Sequence, residues 1–169
     1  MKFNDKLPEN LDDLLQFRLV CDCGKIHSID LLGISIKKNA LEDIITYVRQ
    51  IGKKLTITLI MDDITKLICG HRVAELLRKD GYKTFQFVVP DNAGNKPYAN
   101  EEALKNVEMR LENVDLAIAV GCGTINDLTK LASYRKGIPY IVVVTAPSMN
   151  GFTSAIAAIS IKGIKRTIE

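Results

Sequence analysis

The segment Asp115-Leu-Ala-Ile-Ala-Val-Gly121-Cys-Gly-Thr-Ile-Asn-Asp127-Leu-Thr-Lys130 has the residue types and spacing to hold a phosphate. An apolar run empties into a glycine turn that opens an amphipathic helix. A helix start offers unpaired backbone N–H groups and the positive end of the macrodipole, and glycines let the main chain approach an anion closely. The turn Gly121-Cys-Gly123-Thr124 departs from G-x-G-x-x-G and falls late in the chain, so it is not the common dinucleotide fingerprint. Taken alone, it reads equally as a tight strand-to-helix connection.

Two other groups sit at comparable handovers. Asp62 ends the apolar run Leu55–Met61, where a carboxylate suits a ribose diol or, beside Asp63, a solvated turn. Thr145-Ala-Pro-Ser-Met-Asn-Gly-Phe-Thr-Ser154 follows the apolar run ending at Val144, and its hydroxyls suit either a ligand or loop caps. All three lie at the carboxyl ends of expected strands, where parallel α/β sheets bind ligands, and their convergence tells more than any one of them. Cys21-Asp-Cys23-Gly-Lys-Ile-His27 carries zinc-type ligands without the usual C-x-x-C pair, so a zinc-carrying module ranks behind plain reduced thiols. Cys69 and His71 stand two apart in an expected helix, which makes their side chains diverge. No G-x-S-x-G and no lysine following the glycines in P-loop fashion is found, which weakens hydrolase and P-loop readings.

The elements that must position these groups are set by periodicity. Leu11, Leu14, Leu15 and Leu19 suggest a short helix. Asp30–Ile36 reads as a strand, and Asn39 as the N-cap of a helix to about Gln50. Leu55–Met61 is a strand, followed by a helix over 65–79 with an apolar face of Leu67, Ile68, Val73, Leu76 and Leu77, closed by Gly81. A strand over 83–89, the polar loop Pro90–Pro97, a helix from Asn100 to about Leu111 and a strand over 115–120 come next. The glycine turn then opens a helix to Arg135, Gly137-Ile-Pro139 stops it, and Tyr140–Thr145 is a strand. Residues 155–161 and 164–168, joined at Lys162-Gly163, form a hairpin. Continuous apolar strands alternating with amphipathic helices predict an α/β fold, a Rossmann-like parallel sheet with helices on both faces and a small C-terminal β-hairpin.

The 169 residues are expected to form one dinucleotide-binding domain, with 47% apolar and 25% charged residues, as in ordinary globular chains. A net charge of +3 from interspersed residues forms no basic stripe, so nucleic acid is not an expected partner. No apolar run reaches membrane-spanning length, and the start Met1–Glu9 lacks a signal-peptide centre, so a cytoplasmic location is expected.

The two long motifs together resemble a family, the superfamily of iron-containing alcohol dehydrogenase, glycerol dehydrogenase and dehydroquinate synthase. Within it they are most similar to the AraM-type glycerol-1-phosphate dehydrogenases of bacteria. Gly121-Cys-Gly-Thr-Ile-Asn-Asp-Leu-Thr is similar to the family's Gly-Ser-Gly-Thr-Ile-Asn-Asp-Leu-Thr, and Thr145–Ser154 resembles its Thr-Ala-Pro-Ser-Met-Asp-Gly-Tyr-Thr-Ser. The likeness covers most of this chain and corresponds to the amino-terminal half of a family member.

The resemblance implies a cofactor, NAD or NADP, because Lys66 beside Asp62 leaves both open. It places the pyrophosphate at Gly121, Gly123, Thr124, Ile125, Asn126 and Asp127, with Asp127 fixing the turn. Thr145, Ala146, Pro147 and Ser148 would line the nicotinamide side, Ser154 would add a cofactor contact, and Asp62 would face the adenosine ribose. Asn150 stands where the family has a substrate-contacting aspartate; an amide keeps hydrogen bonding and loses the charge. The family's divalent metal (Ni, Zn or Fe) is held by one aspartate and two histidines of a C-terminal helical domain. These residues are not in the chain, and neither His27 nor His71 matches a ligand position. No catalytic or metal residue is therefore expected here, and no turnover by this chain alone. A polyol phosphate substrate belongs to a full-length form, and a homodimer is compatible with the family. A catalytically inactive nucleotide-binding protein, or an inactive partner subunit, is the alternative.

Overall fold

The computed structural model describes residues 10–29, 31–91, 94 and 96–168. Met1–Glu9, Asp30, part of the expected 90–97 loop and Glu169 lie outside them. The chain divides into two compact units, one up to Asp43 and one from Ile44.

In the first unit, α1 (Leu11–Gln16) starts at the N-cap Asn10, whose side chain accepts from the Asp13 N–H at 2.8 Å. A two-stranded antiparallel hairpin comes after it, β1 (Arg18–Val20) with β2 (Ile26–Ser28), in the register Leu19↔His27. Three-residue strands with mostly exposed side chains carry no periodic signal, so this hairpin is absent from the sequence reading. The expected strand over Asp30–Ile36 does not form in its described part, where Leu32 and Ile36 are exposed. Asn39 is not an extended N-cap: it takes φ +60 and leads into a short 3-10 turn, Ala40–Asp43. No described residue of this unit is buried.

The second unit opens with α2 (Ile44–Ile51), which buries Ile44 and Val48. Next comes a four-stranded parallel sheet, built from β3 (Thr56–Met61), β4 (Lys83–Val88), β5 (Leu116–Gly121) and β6 (Tyr140–Val144) in the order β4-β3-β5-β6. All of β5 and all but the first residue of β3 are buried, as expected of inner parallel strands covered on both faces. Asp115 fixes their register: its N–H donates to the Thr56 carbonyl at 2.9 Å and its carboxylate accepts from the Thr56 N–H at 2.8 Å.

Helical cover comes from α3 (Asp63–Thr65), a π-turn over Lys66–Gly70, and α4 (His71–Lys79). A π-turn inserts an extra residue into the helix and so rotates the turn before it relative to the turn after it. That is why the apolar face expected over 65–79 splits: Val73 and Leu77 are buried and Leu76 half-buried, whereas Leu67 and Ile68 face solvent. Gly70 is needed within the π-turn, since a Cβ there would lie 2.7 Å from the Met61 Sδ.

The other layer is α5 (Glu101–Arg110), capped by Asn100, and α6 (Gly123–Lys136), which ends at Gly137 in the left-handed region. Leu104, Val107, Leu111, Leu128, Leu131 and Ala132 join Ala117 and Ala119 of the sheet in one core. The tail forms the hairpin of β7 (Ala157–Ile161) and β8 (Ile164–Ile168), with Lys162 and Gly163 both at positive φ as a type I′ turn requires. It seats on the start of α5, through Ser160 N–H to the Ala99 carbonyl at 2.7 Å and Lys162 N–H to the Glu101 carboxylate at 2.9 Å. The whole is the expected α/β, Rossmann-like sheet with helices on both faces and a terminal hairpin. Among the described residues, no helix is long and apolar enough to cross a membrane.

Candidate functional site

The chain leaves β3 to one side, through α4 to β4, and returns through α5 to β5 on the other side of β3. The order of strands therefore reverses between β3 and β5, and a crevice opens at such a point beyond the carboxyl ends. Register brings the sequence-singled residues to that edge. Met61 pairs with Val120, so Asp62 and Gly121 leave neighbouring strands at the same level, and Gly121 pairs with Val144, so Thr145 continues alongside. The Thr145 N–H donates to the Gly121 carbonyl at 3.1 Å.

The glycine turn is built for close backbone approach. A Cβ at Gly121 would stand 2.7 Å from the Cβ of Ile125, and one at Gly123 would stand 3.3 Å from the Met149 Sδ. Cys122 is the N-cap of α6 and contributes no side-chain hydrogen bond, and the first turn holds no acidic residue. The amides of Gly123, Thr124 and Ile125 thus start a 14-residue helix without the side-chain acceptor that usually meets them. Ile125 can offer only its main chain, because its side chain is in the core.

Asn126, Asp127 and Lys130 are buried and tie the turn to the loop beyond β6. Asn126 Nδ2 donates to the Asp127 carboxylate at 3.0 Å, while its Oδ1 has no partner among the described residues. The other Asp127 oxygen accepts from the Ala158 N–H at 3.1 Å, which anchors the start of β7. Lys130 Nζ donates to three main-chain carbonyls, Gly151 at 3.0 Å, Ser154 at 2.7 Å and Ile156 at 3.1 Å. Burial holds the Lys130 ammonium below its usual pKa and the Asp127 charge opposes that shift. Burial, followed by the Asp127 charge, pushes the Tyr140 hydroxyl up to about 12.

The remaining sequence candidates fall around this frame. Asp62 caps α3 in a reciprocal box, its carboxylate accepting from the Thr65 N–H at 2.7 Å while the Thr65 hydroxyl accepts from the Asp62 N–H at 3.1 Å. Ala146, Pro147 and Ser148 are exposed on the loop after Thr145, and the Ser148 N–H turns back to the Ala146 carbonyl at 2.8 Å. Ser154 Oγ donates to the Gly151 carbonyl at 2.9 Å, so that hydroxyl shapes the loop. Asn150 is exposed and makes no cap bond to the turn it precedes. Beside it a hollow of about 150 Å³ is lined by Asp127, Met149, Gly151 and Ser154 among others. A larger depression of about 550 Å³ between β4 and the end of α5 includes none of the strand-end residues.

Sequence reasoning missed Lys130 and Met149 as parts of the site. Both lay inside the sequence motifs, Lys130 at the end of the glycine segment and Met149 within Thr145–Ser154, and neither was singled out there. The donor set of one aspartate and two histidines does not fit this chain. His27 lies on β2 and His71 opens α4, and among the described residues the one cluster of three metal-ligating side chains is Cys21, Cys23 and His27.

Residues 35–169 match the family model of iron-containing alcohol dehydrogenase. The chain is similar to the glycerol-1-phosphate dehydrogenase [NAD(P)+] of Bacillus licheniformis, 34% identical over 152 residues that cover 88% of this chain and 37% of that protein. The like-named enzyme of Pyrococcus abyssi is 33% identical over 132 residues, 78% of this chain and 36% of that one. This chain therefore spans little more than a third of the length of these relatives. Among solved structures, glycerol dehydrogenase from Schizosaccharomyces pombe superposes with a TM-score of 0.64 at 20% identity, over 75% of this chain and 31% of that one. NADH-dependent butanol dehydrogenase A from Thermotoga maritima gives 0.65 at 12% identity, over 81% and 41%. With a matched model over most of its length and relatives above 30% identity on the same stretch, the chain belongs to the iron-containing alcohol dehydrogenase family.

Proposed function

We propose that this chain is the dinucleotide-binding part of a metal-dependent NAD(P) oxidoreductase of the glycerol-1-phosphate dehydrogenase type, acting on a small polyol phosphate in a full-length form. The observation that carries the reading is the meeting of Asp62, the uncapped α6 N-terminus and Thr145 at the β3–β5 switch point. The amides of Gly123, Thr124 and Ile125 receive the pyrophosphate, with Gly121 keeping the turn tight. Asp62, whose second carboxylate oxygen is not used in the capping box, accepts from the adenosine ribose. Thr145, Ala146, Pro147 and Ser148 border the nicotinamide, Ser154 holds the adjoining loop, and Asn150 faces the substrate side. Bound NAD(P)+ supplies the hydride acceptor.

Nothing in the chain polarises a substrate hydroxyl, since the family's metal donors are not among its residues, and turnover by these 169 residues alone is not expected. Asn150 in place of the family aspartate favours a second reading, an inactive nucleotide-binding subunit. Activity of a longer form, abolished by a chelator, would exclude it.

NADH titration by calorimetry tests the site. Saturable binding is expected, and Thr124→Glu should weaken it at least about tenfold through like-charge repulsion with the pyrophosphate. The same substitution suits a helix N-terminus, so the melting temperature should not fall. No binding at millimolar NADH, or equal binding by the variant, would sink the assignment.

A further inference from the structure

The β1–β2 hairpin gathers two thiols of its connecting loop and an imidazole of β2 for which the dinucleotide reading has no use. We propose that Cys21, Cys23 and His27 bind a zinc ion that clips this hairpin, with the fourth coordination position open to water. The ligand atoms, two sulfurs and one ring nitrogen, all lie within 4.8 Å of one another. Cys23 Sγ is 3.3 Å from His27 Nε2. A tetrahedral zinc with bonds of about 2.3 Å to sulfur and about 2.0 Å to nitrogen sets a sulfur and a nitrogen about 3.5 Å apart, so this pair is already at ligand spacing.

The hairpin produces that spacing from sequence positions that look too close. Cys21 N–H donates to the Lys25 carbonyl at 3.0 Å, Gly24 N–H donates to the Cys21 carbonyl at 2.9 Å, and Gly24 takes φ +81. This tight turn folds Cys23 back over Cys21, and pairing of Leu19 with His27 brings the imidazole to the same end of the ribbon. In an extended C-x-C the two thiols would point the same way along one strand with nothing to close the site. Here the Cys23 N–H also reaches the Cys21 Sγ at 3.5 Å, a bond that favours the thiolate a metal requires.

Stability supplies the second argument. The described residues of this unit bury no side chain fully, and units of about 40 residues ordinarily need a metal, disulfide or partner to hold one structure. A zinc would close the 21–27 loop and convert ligand binding into local folding. Binding displaces one proton from each of the two thiols at neutral pH, and the imidazole binds as the neutral form.

The test uses the full chain, reduced with a phosphine and stripped with a chelator, then titrated with Co²⁺ and back-titrated with Zn²⁺. Expected are one ion per chain, the visible bands of four-coordinate cobalt and thiolate charge transfer in the near ultraviolet, all displaced by zinc. Cys23→Ser and His27→Ala should each weaken cobalt binding roughly a hundredfold, and Cys69→Ser should leave it unchanged. Six-coordinate cobalt without charge transfer, one zinc per two chains, or binding indifferent to Cys23→Ser would overturn the site. The wild-type stoichiometry decides the matter even if a variant misfolds, and NADH binding can fail or succeed without affecting it.

Discussion

Lys130 ties α6 to the loop beyond β6 at the candidate site. Its ammonium replaces water with three main-chain carbonyls of the 151–156 loop, and with Asp127 on the Ala158 N–H it holds the path from β6 to β7. Lys130→Met keeps the aliphatic reach and leaves those carbonyls without their donor. Urea unfolding should show a loss of ~1–3 kcal/mol. Proteolytic cleavage within 149–156 should accelerate; an unchanged cleavage rate would mean the loop is held by other bonds. The family resemblance, not the residue types, implied that Asp127 fixes the turn; its carboxylate accepts from Asn126 Nδ2 and from the Ala158 N–H, not from the amides of the helix start. The lysine's role could not be read from residue types either, since its acceptors are carbonyls 21 to 26 positions ahead and depend on the fold.

At the scale of elements, the junction of β5 and α6 is the least tolerant to change. Gly121→Ala would drive its new methyl into the branched Cβ of Ile125, which cannot swing aside because that side chain is buried in the core. A loss of ~1–3 kcal/mol, typical of overpacking, is expected in chemical denaturation, together with weaker NADH binding. In an Ile125→Ala background, itself destabilised by the cavity, the added cost of Gly121→Ala should shrink without vanishing, because Cγ1 and Cγ2 are gone while the Cβ contact at 2.7 Å remains; an undiminished cost would point to another cause. The inner strands were legible because strands buried on both faces read as unbroken apolar runs, and β5 is one. The 65–79 helix was legible in extent and misread in phase, because periodicity assumes 3.6 residues per turn and the π-turn at Lys66–Gly70 breaks that count. The β1–β2 hairpin was invisible for a different reason: its residues are shown mainly to solvent, so no burial pattern is imprinted on them.

For the molecule as a whole, the two units differ sharply in how much they bury. The unit from Ile44 contains the sheet and its core, while the described residues before it are intermediate or exposed. Metal-free protein should therefore be cut first by a non-specific protease within residues 10–43, leaving a resistant fragment from about Ile44, and added zinc should slow that first cut. Mass spectrometry of the fragments is the measurement, and initial cleavage inside the sheet would contradict it. The α/β class and the placing of the candidate residues at the carboxyl ends of the strands were readable because alternation of strands and helices forces a parallel sheet, whose ligands go to that end. The strand order was not, since nothing local tells β4 to take the outer place beside β3. That order also sets when the edge of β3 is covered as the chain folds from its start. The Thr56 amide finds the Asp115 carboxylate 59 residues later, so β3, paired with β4 alone, must wait with a bare apolar edge until β5 is synthesised. During that interval the unpaired edge of β3 is open to mispairing with another strand.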